Sequence, residues 1–155
     1  MVFSSTTAVS AQSSWLAVYW NNKNLEGSPV LIRPEFDDNH NPGININWGF
    51  DSPDDATVNK DYFSARWTRN QYLEPGRYRF TASADDGVRV WVDDQMLIDG
   101  WINQVFTTYT GYIDVEGGSV PIRVEYYDNQ HHAMINVNWT RVPGSETAVA
   151  GANWS

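Results

Sequence analysis

Four Asp-Asp pairs punctuate the sequence, at residues 37–38, 54–55, 85–86 and 93–94. Adjacent carboxylates repel each other unless something positive compensates, and a hard cation such as Ca2+ does so through oxygen ligands. Asp85-Asp86 ends one alternating apolar stretch, and Gly87 opens the next. Both carboxylates therefore fall in a tight loop, where function concentrates. Side chains of adjacent residues point apart in ordinary trans geometry. Converging both on one ion calls for an unusual backbone, such as a non-proline cis bond. Asp93-Asp94 lies between a run ending at Val92 and one starting at Met96. That is hairpin-turn chemistry, because Asp tolerates turn conformations and bonds its own backbone. Asp37-Asp38, before Pro42, and Asp54-Asp55, after Ser52-Pro53, read as polar loops.

Other reactive residue types offer less. There are no cysteines, which excludes disulfides, thiolate metal sites and a Cys nucleophile. His131-His132 lacks a third ligand at a spacing suited to a transition metal, and His40 lies far along the chain. Oxygen-rich loops suit Ca2+ better than Zn2+. A glycosidase sets two carboxyls about 5 to 9.5 Å apart across a cleft, and adjacent Asp residues in one loop cannot do that. Glu35, Glu116 and Glu125 form no recognisable pairing, and no nucleophile elbow is present. The chain is expected not to be an enzyme.

These loops need a scaffold. From Trp15 to Trp139 the dominant pattern is period-2 alternation, the sign of half-buried strands. Tyr78, Phe80 and Ala82 alternate with Arg77, Arg79 and Thr81. Val88, Val90 and Val92 alternate with Arg89 and Trp91, and Val120, Ile122, Val124 and Tyr126 with Arg123, Glu125 and Tyr127. Further strands are expected at residues 15–20, 29–34, 44–48, 63–69, 96–98, 105–113 and 133–140. Turn signals separate them, including Asn41-Pro42-Gly43, Glu74-Pro75-Gly76 and Glu116-Gly117-Gly118. No segment of helical length keeps an i, i+3, i+4 pattern. The expected fold is all-β, an antiparallel β-sandwich.

The 155 residues suit one domain, and 41% hydrophobic with 14% aromatic content excludes disorder. A charge of −9, from 19 acids against 10 bases, argues against nucleic acid and anionic membranes as partners. No apolar run reaches the length of a membrane span, so no membrane insertion is expected. "MVFSSTTAVSAQSSW" has neither the charged nor the apolar region of a complete signal peptide. Residues 1–14 and 143–155 read as linkers around a domain at 15–142. Trp154 follows a Gly/Ala/Ser stretch much as Trp15 follows a Ser-rich one. This gives the expectation of a tandem array with neighbouring domains as partners.

The stretch "SADDGVRVWVDDQMLIDGW" (83–101) resembles the signature of the protective-antigen-type domain, the PA-fourteen family. "WLAVYWNNKNLEGSPV" is similar to that family's opening strand and Gly-x-Pro turn. "DYFSARWTRNQYLEPGRYRFTASADDG" is similar to its central segment, and "VEYYDNQHHAMINVNW" to its closing hairpin. The resemblance covers nearly all of Trp15 to Trp139 and implies a β-sandwich.

In the family's lectin branch, the Asp pair has a cis peptide and binds Ca2+, which in turn coordinates sugar hydroxyls. An amide side chain and backbone carbonyls from a second loop complete the cage. The resemblance thus implies Asp85 and Asp86 as metal ligands, with Gln130 as the side-chain ligand and His132 through its carbonyl. Asn129 and Asp128 remain alternatives to Gln130. It also implies carbohydrate, a glycan or polysaccharide, as partner. Sugar contacts are expected from Asp85, Asp86 and Asn129, with Trp101 and His131 as candidate platforms. A secreted or cell-surface setting follows from the same resemblance. The alternative is a structural or protein-interaction module that binds no sugar.

Overall fold

Alternating side chains need two sheets to bury one face each, and the computed structural model forms them. It describes residues 14–36 and 42–145. Asp37, Asp38, His40 and Trp154 lie outside the described residues. The strands are β1 (Ser14–Trp20), β2 (Leu31–Phe36), β3 (Ile44–Gly49), β4 (Phe63–Leu73), β5 (Gly76–Asp85), β6 (Gly87–Val92), β7 (Gln95–Gly100), β8 (Thr107–Val115), β9 (Gly118–Asp128) and β10 (Ala133–Arg141). They build a six-stranded sheet, β2-β1-β4-β9-β6-β7, and a four-stranded sheet, β3-β10-β5-β8. Every pairing within them is antiparallel. No helix among the described residues is long and apolar enough to cross a membrane.

Each expected strand is present, with shifted ends. β2 starts at Leu31 rather than Pro29, and its remaining proline, Pro34, sits on an edge strand, where a missing donor is tolerated. β8 starts at Thr107 rather than Val105, leaving residues 101–106 as a loop.

The core lies between the sheets. Trp15, Tyr19, Phe63, Trp67, Phe80 and Tyr126 are fully buried, and truncating any such aromatic typically costs about 3–5 kcal/mol. Trp48, closing the alternating run of β3, packs against Phe63, Trp67 and Tyr126. Trp139 does the same at the opposite end against Trp15 and Phe80. Strands β3 and β10, in which Asn alternates with apolar residues, pair with each other, while Trp48 and Trp139 plug separate parts of the core.

One polar residue departs from the alternation rule. Glu125 falls on the outer face of β9, yet it is 4% exposed. Arg66 and Arg89 each reach it at 2.8 Å from the flanking strands β4 and β6. Arg89 and Arg123 in turn lie over the Trp91 ring. The outer face of this sheet is thus covered by its own arginines and tryptophans.

Candidate functional site

Strand β5 belongs to the four-stranded sheet and β6 to the six-stranded one, so the chain crosses between sheets at Asp85-Asp86-Gly87. The Asp85-Asp86 peptide bond is cis. The glycine that follows has a packing reason. A Cβ at Gly87 would stand 2.0 Å from the Tyr127 ring, so no larger residue fits without moving that ring.

Asp86 is 6% exposed and held from several sides. Its N–H donates to the Tyr127 carbonyl at 3.2 Å. Its Oδ1 accepts the Asn129 N–H at 2.9 Å, and its Oδ2 accepts the Gln104 N–H at 3.0 Å. The Gln104 side-chain amide donates to the Asp86 carbonyl at 2.8 Å and to the Gly100 carbonyl at 3.1 Å. Tyr109 fixes the other end of that amide through a 2.5 Å bond to Oε1. Asp85 is half-buried, and its carbonyl accepts the Tyr126 hydroxyl.

A third carboxylate sits behind the pair. Asp128, the last residue of β9, has no solvent exposure, and neither carboxylate oxygen has a hydrogen-bond partner. Burial, then the charges of Asp86, Asp61 and Asp85, push its pKa up to about 8. Asp85 is pushed up to about 6 by burial and by Asp86, against a smaller opposing effect of His132 and His131. Of the three, Asp128 alone has buried carboxyl oxygens with no hydrogen-bond partner, and a buried unpaired carboxylate is costly, which is why its pKa rises. Among the described residues, no three His, Asp or Glu side chains come together in a way that would hold an ion unaided. A cation at the pair therefore needs amide or main-chain oxygens and water as well, which is ordinary for Ca2+. On those terms the donor set fits a hard divalent ion.

The loop after β9 meets the pair at Asn129, whose N–H reaches Asp86. Its two amides behave differently. Asn129 accepts the Lys23 ammonium on Oδ1 at 2.7 Å, and its carbonyl accepts the Tyr62 N–H at 3.2 Å. Both of its oxygens are thus engaged. Gln130 donates its amide nitrogen to the Tyr62 hydroxyl. His131 is exposed at φ 72°, with its N–H donating to Asp61 Oδ1 at 3.0 Å. The His132 ring packs edge-on against Phe50, 4.9 Å between centroids. Trp101 is half-buried, with the Arg89 guanidinium 3.7 Å over its ring and Tyr127 against it at 4.8 Å. The expectation of a sugar platform there meets a ring already covered on one face.

Sequence reasoning missed Asp61, Gln104, Lys23 and Tyr62. Each reaches the site from another loop or strand end, and only the tertiary fold brings it there. Of the other Asp pairs, the two among the described residues serve their own turns. Asp93 and Asp94 adopt φ of 52° and 62° between β6 and β7, and Val92 pairs with Gln95 across them. This is the left-handed two-residue hairpin turn that Asp tolerates. Asp54 organises its own loop, its carbonyl accepting the N–H groups of Thr57 and Val58 and its Oδ2 the Thr57 hydroxyl.

A family model described as the PA14 domain matches residues 10–150. The anti-sigma-I factor RsgI3 of Acetivibrio thermocellus is 38% identical over 103 residues, which is 64% of this chain. The chain spans only 16% of that relative's length. Among solved structures, an anti-sigma factor domain-containing protein from Clostridium clariflavum superposes with a TM-score of 0.72 at 29% identity. That match covers 83% of this chain and 42% of the other. The PA14 sugar-binding domain from an RTX adhesin shares the fold, with a TM-score of 0.66 at 20% identity over 87% of this chain and 93% of that one. The Asp-Asp-Gly crossing, the two-sheet order and the family match agree, and this chain belongs to the PA14 domain family.

Proposed function

We propose that this domain is a Ca2+-dependent carbohydrate-binding module, without catalysis of its own, in a larger secreted or cell-surface protein. The observation that carries this reading is the Asp128 carboxylate, fully buried and unpartnered behind Asp85 and Asp86. A divalent cation at the pair would favour the ionised forms of Asp85 and Asp128, which burial now opposes. Its holders would be the Asp85 and Asp86 carboxylates, the Gln130 amide oxygen and the His132 carbonyl. The ion, when bound, offers coordination positions to neighbouring sugar hydroxyls. Asp85 and Asp86 would also accept hydrogen bonds from those hydroxyls, with Asn129 and His131 at the rim.

Support also comes from a relative whose title names it a sugar-binding PA14 domain. The relatives of higher identity are anti-sigma factors. A parent of that kind would use the domain to sense carbohydrate, whereas an adhesin would use it to attach. Single-site affinity is expected to be modest, and tandem copies would raise it through effective concentration. Glycan-array binding with Ca2+, with chelator, and with Asp86→Ala tests the proposal. Binding lost under both perturbations supports it. Binding that survives both refutes the mechanism, and a domain that binds no glycan in any condition leaves the structural-module reading.

A further inference from the structure

Aromatic side chains flank the acidic loop on both sides. Strand order in the smaller sheet is β3-β10-β5-β8, with Asp85 at the end of β5. Thr107 pairs with Ala84, so Phe106, one residue earlier, stands across from Asp85 on the β8 side. On the other side Met134 pairs with Asp85, and Gly49 of β3 pairs with Ala133. Phe50, next after Gly49, meets the His132 ring. Phe50 is 65% exposed and Phe106 44%. Three strand spacings of roughly 4.8 Å separate β3 from β8, so the backbones that carry Phe50 and Phe106 lie roughly 14 Å apart across the sheet, with Asp85 between them in strand order.

We infer that the ligand of this site is an extended carbohydrate chain lying across the cation, with Phe50 and Phe106 as its two aromatic platforms. The inference rests on the cation-dependent reading above and specifies its ligand. A sugar ring offers hydroxyls at its edge and C–H groups on its faces. The Asp85-Asp86 loop and the cation it would hold would meet the edge hydroxyls of one unit, and an exposed phenyl ring would cover an apolar face of the unit on each side. The separation exceeds the width of a single ring and suits a short run of linked units. Ile102 and Val105, both exposed on the loop that holds Asp86 through Gln104, extend the apolar rim on the Phe106 side. The platforms expected from sequence are less suited. Trp101 lies beneath Arg89, and His131 is a small ring on a turn residue.

Calorimetric titration of the Ca2+-loaded domain with gluco-, xylo-, manno- and galacto-oligosaccharides of one to six units tests this. At least one series should gain about a hundredfold in affinity between one unit and three or four, about tenfold from each of two aromatic contacts. Phe50→Ala and Phe106→Ala should each remove about tenfold of that gain, leave the monosaccharide within about twofold, and leave Ca2+ affinity unchanged. Both side chains are exposed, so these variants keep the fold, and Phe→Trp at either position should restore the gain. Equal affinity for all chain lengths, or unaltered binding by both alanine variants, with Ca2+ still bound, overturns this inference and leaves the cation-dependent reading standing. Absence of Ca2+ binding overturns both.

Discussion

Gln104 grips Asp86 twice, its N–H donating to Oδ2 at 3.0 Å and its side-chain amide to the main-chain carbonyl at 2.8 Å. The loop after β7 is thereby tied to the loop after β5, and Asp86 is oriented by a residue that itself need not touch an ion. Partners of this kind typically contribute 10–100-fold to metal affinity. Gln104→Ala should weaken Ca2+ binding by about tenfold, with an unchanged far-UV spectrum. The main-chain bond to Oδ2 survives in this variant, so unaltered Ca2+ affinity would show that Asp86 needs no support from the side-chain amide.

Gly87 is fixed by contact. An added methyl would overlap the Tyr127 ring, with 2.0 Å to the nearest carbon. Overpacking in a filled interior typically costs about 1–3 kcal/mol, so Gly87→Ala should lower the melting temperature and displace the Asp pair. Denaturant titration and Ca2+ calorimetry on the same variant check both effects. Wild-type stability would mean the ring moves freely.

The acidic cluster gives the cation-free protein a particular pH dependence. Asp128 is pushed up to about 8 and Asp85 to about 6, chiefly by burial, against about 4 for an unfolded Asp. Between those values the folded chain holds protons that the unfolded chain has released, so stability falls as pH rises. The cluster's penalty is absent below about pH 4 and complete above about pH 8. Melting temperature in chelator should therefore decline from pH 5 to 9, and Ca2+ should stabilise more at high pH than at low. Asp128→Asn should flatten the decline above pH 6. A cation-free melting temperature that climbs across this range would contradict the assignment.

Glu125 anchors the opposite, outer face of the larger sheet. Removing it leaves Arg66 and Arg89 without their shared partner. Breaking a fully buried pair typically costs about 3–5 kcal/mol, and here both arginines retain water contact, so Glu125→Ala should cost on the order of 2 kcal/mol. Ca2+ affinity should not change, because the ion-pair partners of Glu125 are arginines and not the Asp pair. Equilibrium unfolding paired with calorimetry separates the two readouts, and a loss of Ca2+ binding would place the two faces in one coupled unit.

Strands were readable because a sandwich buries one face of nearly every one, as in the valines of β6 against Arg89 and Trp91. The Asp93-Asp94 turn was readable for an equally local reason, since its conformation belongs to the residues themselves. Asp85-Asp86-Gly87 stood out because three unusual residues share one loop. What sequence did not reveal is contact across the chain. Lys23 reaches Asn129 over 106 positions, and His131 reaches Asp61 over 70. Local alternation also placed Glu125 on a polar face without indicating that arginines from two other strands bury it. Trp101 drew attention as an aromatic beside the signature, while the exposed rings of Phe50 and Phe106 carried no local mark.

The most direct measurement is calorimetric titration of Ca2+ into the metal-free domain, alongside Asp86→Ala. One site per chain is expected in the unsubstituted domain and none in the variant, with both folded. Absence of Ca2+ binding to the unsubstituted domain, or equal binding to the variant, would contradict the assignment of Ca2+ to the Asp pair.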